Sequence, residues 1–173
     1  MEYLIQLLSI VLPAGLVIYG MFIITVSFLK KEKEMKWVDI KTKNTELLLP
    51  LRLQAAERLC LLMERISPNN LIRRINEPGF TAGELHSRLV EEIRNEFNHN
   101  LSQQVYFSDE TWESVRTAVE QTLSLINRSY QQVDGNEKSL DLAKTIFQLS
   151  LEQEKDIVVL ALKRIKDEVR IYY

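Results

Sequence analysis

From Tyr3 to Leu29 the chain reads YLIQLLSIVLPAGLVIYGMFIITVSFL, with no charged residue anywhere in the run. As a helix rising about 1.5 Å per residue it would reach about 40 Å, beyond the roughly 30 Å hydrocarbon core of a bilayer. A helix that is apolar on every face belongs in lipid or in a large protein core. The lysines that follow at once from Lys30 favour lipid. A secretory signal would need a positive n-region, a shorter apolar stretch and a small-residue cleavage site, none of which is present. The pattern therefore predicts one transmembrane anchor over residues 1–29. Pro13 predicts a kink or a change of packing inside it, because proline removes a backbone donor. Gly15 and Gly20 are five apart, so no GxxxG seam supports self-pairing of the span. For Gln6, Ser9, Thr25 and Ser27, a neighbouring helix and their own backbone both remain open as partners.

After the span the pattern changes. Residues 30–49 carry mixed charge and β-branched positions with no sustained helical stripe, which predicts a basic juxtamembrane connector, partly extended. Pro50 suits a first helical turn, and Leu53, Ala56, Cys60, Met63 and Ile66 then share one side of a helix over 50–66. Ser67-Pro68 predicts an N-cap and the opening of a short helix that EPGF ends. Thr81 and Glu84 have capping-box spacing, after which Leu85, Leu89, Ile93, Phe97, Leu101 and Val105 recur every four residues, predicting a helix over 81–107. Ser108 is an N-cap for the next helix, whose stripe is Val115, Val119, Thr122, Ile126 and Val133 until DGN breaks it. Residues 137–171 contain no glycine or proline, and Leu140, Ala143, Phe147, Leu151, Val158, Ala161, Ile165 and Val169 form a stripe interrupted at Glu154. Its polar middle, EQEKD, leaves a kink, a solvated waist or a gap for a partner open. Short connections between long amphipathic segments favour antiparallel neighbours. The expected fold is all-α, one N-terminal transmembrane helix followed by a cytoplasmic antiparallel helical bundle over 50–173.

Composition agrees: five glycines and four prolines in 173 residues are few for a chain of strands and turns. The net charge of -2 hides an asymmetry. Residues 30–75 carry eleven Lys/Arg against six Asp/Glu, and residues 76–173 carry eleven against seventeen. Lys30, Lys31, Lys33 and Lys36 directly after the span predict an N-terminus outside and a cytoplasmic C-terminal domain. With Trp37 they are the candidate membrane-interface residues. The single cysteine, Cys60, cannot staple the chain and fits a reducing compartment.

Candidate chemistry is sparse. There are two histidines and no CxxC, HExxH, GxSxG or glycine-rich phosphate loop. EFNH places Glu96 and His99 in the Glu-x-x-His spacing of carboxylate-bridged di-metal bundles, but such a site needs a second copy, and Gly83 stands three residues before His86. Glu91, Glu92 and Glu96 read as a solvated acidic face. Arg73 and Arg74 with Lys41 and Lys43 lack an aromatic platform and are diluted by acids, which argues against nucleic acid. The segment EFNHNLSQQVYFSDETW concentrates amides beside rings. It predicts either an anchored helix junction or a partner surface at Asn98, Asn100, Gln103, Gln104 and Tyr106.

The apolar run, KWVDIKTKNTELLLPLRLQAAERL and EFNHNLSQQVYFSDETWE together resemble an uncharacterised family of small membrane-anchored helical proteins of Bacteroidota-type bacteria. The resemblance covers nearly the whole chain and implies a bacterial inner-membrane location, with no activity or site residues attached. The expectation is a non-enzymatic interaction or scaffold protein whose partners are the lipid bilayer and either a second protein or its own copy. No cofactor, nucleic acid or small-molecule substrate is expected. The alternative is a metal-dependent enzyme or sensor built around Glu96 and His99.

Overall fold

The computed structural model describes residues 2–152 and 156–171, apart from the side chains of residues 4–8, 10, 11 and 37–45. Among the described residues six α-helices follow one another, α1 (Glu2–Ile66), α2 (Pro68–Ile75), α3 (Ala82–Asn100), α4 (Asp109–Tyr130), α5 (Ser139–Leu151) and α6 (Ile157–Arg170), with a 3-10 helix at Leu101–Tyr106. The described residues contain no strand, only an isolated bridge between Thr81 and Lys138. The chain divides into two compact units, Met1–Leu48 and Leu49–Tyr173.

The first unit holds a helical segment, Leu12–Lys36, with an 18-residue apolar window long enough to cross a membrane; the window has a mean hydropathy of 2.1 and none of it is buried in protein. Leu16, Ile18, Phe22, Ile24 and Phe28 are all exposed. The Thr25 hydroxyl donates to the Met21 carbonyl at 2.8 Å, so its hydrogen bond stays within its own helix. The side chains of Gln6 and Trp37 lie outside the described residues. The partly extended connector expected at 30–49 is helical instead, because α1 runs through it and through Pro50, which therefore does not start a helix. Once a helix is nucleated each further residue adds a bond, and the few tenths of a kcal/mol lost at each β-branched position do not stop it.

The second unit is a helical bundle. Every buried apolar residue among those described lies between Ala55 and Val169. Leu59, Leu62, Met63 and Ile66 of α1 join Leu85, Leu89 and Ile93 of α3, Val115, Val119 and Ile126 of α4, Leu142 and Ile146 of α5, and Ile165 of α6 in one core. Helix α4 packs on α3, α5 and α6, and α2 packs on α3 and α5.

Local signals set most of the helix starts. Thr81 and Glu84 close the expected capping box, and the Ser108 hydroxyl accepts from the Thr111 N–H. The Asp156 carboxylate accepts from the N–H groups of Val158 and Val159, so the last stretch restarts as a separate helix. Of the expected interruption, residues 153–155 lie outside the described residues. Ser67 holds the N-cap position of α2 but its hydroxyl donates backwards to the Glu64 carbonyl. The start of α3 is also tied to the α4–α5 loop: the N–H groups of Ala82 and Gly83 donate to the Glu137 and Gly135 carbonyls, at 2.8 and 3.0 Å. Gly135 is needed there, since a Cβ would stand 2.7 Å from the Tyr130 hydroxyl oxygen.

Several stripe positions are corrected. Leu140 and Leu151 are 56% and 86% exposed and Phe147 is at the surface, while Leu142, Ala143 and Ile146 face the core. α5 is apolar on two faces, and periodicity alone cannot choose between them. In α1 the buried face includes Ala55, Leu59 and Leu62, leaving Leu53 exposed and Cys60 half-buried. Leu101 and Val105 are exposed because α3 gives way to the tighter 3-10 turn at Leu101, which shifts the side-chain period.

Helix α6 reaches across to complete the cap of α4. The Ser108 N–H and hydroxyl both donate to the Glu168 carboxylate, each at 2.8 Å. Burial pushes the Glu168 carboxyl up, but hydrogen bonds from Thr111 and Ser108 and the charge of Arg52 outweigh it and hold it below the ordinary 4.5. The unfolded chain then binds the proton more readily, so this contribution is complete above the ordinary value and is lost as pH falls through the folded one. Glu168→Gln should cost about 1 kcal/mol at neutral pH, where solvent screens the exposed part of the group, and progressively less in acid. Urea midpoints for parent and variant that stay equally far apart at neutral and acid pH would remove the charge from this account.

Candidate functional site

His99 and two acidic residues of α3, Glu92 and Glu96, line a shallow groove between α1 and α3. Arg58, Leu61 and Arg65 line one wall and Glu92, Asn95, Glu96 and His99 the other, around about 490 Å³. Arg65 lies 2.5 Å from the carboxylate of Glu96, whose side chain is only 12% exposed. Arg74 of α2 pairs with Glu92, one turn earlier on α3. The charges of Glu92 and Glu96 are thus spent on clamping α1 and α2 to α3, and the expected solvated acidic face is true only of Glu91, which is exposed.

His99 is exposed, and its Nδ1–H donates to the Asn95 carbonyl at 2.8 Å. His86 is occupied elsewhere: its Nε2–H meets the Asn127 side-chain oxygen at 2.8 Å and its ring stacks on Tyr130 at 4.2 Å. Among the described residues no group of three or more His, Cys, Asp or Glu side chains is placed to hold a metal ion. Glu96 and His99 by themselves supply two donors, half of a tetrahedral set, and one of them faces an arginine. The Cys60 thiol is pushed up by burial, against the pull of Lys166, which keeps it a poor nucleophile at neutral pH.

The amide-rich segment is split by the fold. Asn98 and Gln104 are exposed and Tyr106 is half-buried, but Asn100 and Gln103 are each only 9% exposed. Asn100 donates its side-chain N–H to the Glu96 carbonyl, tying off the end of α3, and the Gln103 amide donates to Ser102. These two residues are withdrawn from the expected partner surface. Asn100 continues the core face of α3 one turn after Glu96, and the 3-10 turn that follows carries Gln103 inward. Phe97 stacks on Trp112 with ring centroids 5.7 Å apart, joining α3 to α4. The aromatic part of the segment is therefore a staple between helices.

At the other end of the chain, Lys30, Lys31, Lys33 and Lys36 are all exposed. Lys36 pairs with Glu32 at 2.7 Å, an i,i+4 contact on the helix surface. Nothing in the spacing of the sequence announced the pairing of Arg65 with Glu96 or of Ser108 with Glu168, because each joins residues far apart in the chain.

The family model of a family of unknown function, DUF7935, matches residues 2–172. The chain belongs to DUF7935. The family match takes in the apolar helix and the whole bundle together, in keeping with the resemblance to an uncharacterised family. No curated protein and no solved structure matches the chain.

Proposed function

We propose that this chain is a single-pass bacterial inner-membrane protein, N-terminus out, whose cytoplasmic helical bundle is a non-enzymatic interaction or scaffold module. The observation that carries the reading is the apolar window within Leu12–Lys36, none of it buried in protein, followed by a capped bundle with its own core. An apolar helix of that length exposed to water would be strongly unfavourable, so lipid is its natural surrounding. The lysines after the span favour the cytoplasmic side for the bundle. The non-enzymatic part rests on where the candidate groups are committed: Glu96 to Arg65, His99 to Asn95 and His86 to Asn127.

One preparation tests the parts of this reading. A full-length chain with a tag and reporter after residue 173 is expressed and purified from native membranes in mild detergent. The reporter should be active only in its cytoplasmic form, and a second protein or a second copy should co-elute in fixed ratio. Periplasmic reporter activity would reverse the orientation. A chain that elutes alone, with stoichiometric metal that a His99→Ala variant loses, would replace the scaffold reading with the metal-dependent one.

A further inference from the structure

We infer that the lysine collar at the end of the span selects anionic lipid headgroups, an inference that rests on the membrane reading above. At about 100° per residue, Lys30, Lys31, Lys33 and Lys36 fall at about 0°, 100°, 300° and 240° around the axis of α1, so the positive charge spreads over about 220° of the circumference, with Glu32 in the remaining gap. All four are exposed. Among the described residues Lys30, Lys31 and Lys33 make no ion pair, and Lys36 keeps a side chain 70% exposed beside Glu32. A protein docking on one side contacts a single face, narrower than this spread, whereas a headgroup layer surrounds the helix and meets all four lysines. From Lys30 to Lys36 the helix rises about 9 Å, comparable with the headgroup layer on one side of a bilayer and with the Debye length of about 8 Å. The four lysines, less Glu32 and Glu34, therefore act on neighbouring lipids as one local net charge of +2. Topology alone needs only an excess of lysine on the inner side, and four exposed lysines spread around most of the helix exceed that need.

The test uses the full-length chain in phosphatidylcholine vesicles containing about one-fifth phosphatidylglycerol, with spin-labelled phosphatidylglycerol or phosphatidylcholine as probe. The fraction of probe immobilised at the protein surface gives the relative association of the two lipids. Phosphatidylglycerol should be favoured about fivefold or more at low ionic strength, and the preference should collapse at about 1 M salt, where the Debye length is about 3 Å. Changing all four lysines to Gln should abolish the preference, and changing all four to Arg should retain it. A chain that co-floats with the vesicles but holds both lipids equally, or a Gln variant that keeps the preference, overturns this inference and leaves the anchoring intact. A chain that fails to co-float overturns the anchoring and this inference with it.

Discussion

Leu89→Ala is expected to lower the stability of a chain lacking residues 1–36 by about 2–5 kcal/mol. Leu89 is fully buried in the middle of α3, with Leu85 and Ile93, also fully buried, one turn away on either side. Removing its branched end loses transfer energy and leaves a cavity that these neighbours, already in contact with α4 and α5, cannot close. The loss is a large share of the roughly 5–15 kcal/mol that holds a typical domain. It should appear as a fall in melting temperature of about 10 °C or more. The shortened chain is the right form for the measurement because every buried apolar residue among those described lies from Ala55 onward. Phe97→Ala, at a half-buried position stacked on Trp112, should cost less, about 1–3 kcal/mol. A Leu89→Ala melt that overlays the parent would mean the inward face of α3 is misassigned.

Arg65→Ala is expected to destabilise the same chain more than Glu96→Gln does, although the two substitutions break one contact. Arg65 is half exposed and regains water when its partner is gone, whereas the Glu96 carboxylate, 12% exposed, is left without its countercharge. A fully buried pair broken in this way costs about 3–5 kcal/mol; the exposed side of Arg65 reduces that here to about 2 kcal/mol. Glu96→Gln, which leaves no buried charge, should cost about 1 kcal/mol. In the double variant the penalty of Arg65→Ala should largely disappear, a coupling of about 2 kcal/mol in a double-mutant cycle. Additive single effects in chemical denaturation would show that the groove between α1 and α3 is held by packing alone, freeing Glu96 for another role.

The apolar span, the capping box at Thr81, the cap at Ser108 and the α4 stripe through Val115, Val119, Thr122 and Ile126 could all be read directly from the sequence. Each rests on residues within a turn or two of one another, where chemistry is decided by spacing. α5 shows where that reading stops: its sequence offers two apolar faces, and only packing against α3 and α4 chose Leu142 and Ile146 over Leu140 and Leu151. Asn100 and Gln103 looked like part of a partner surface of amides beside rings, but Asn100 continues the core face of α3 and the 3-10 turn after it carries Gln103 inward. Pro50 looked like a helix start, and α1 passes through it, since one missing donor is a local loss that the surrounding turns outweigh. The commitment of Glu96 to Arg65 and of Glu168 to the start of α4 depended on tertiary structure alone. Such pairs join distant parts of the chain, and no periodicity records which charges a bundle will bring together when its apolar faces close.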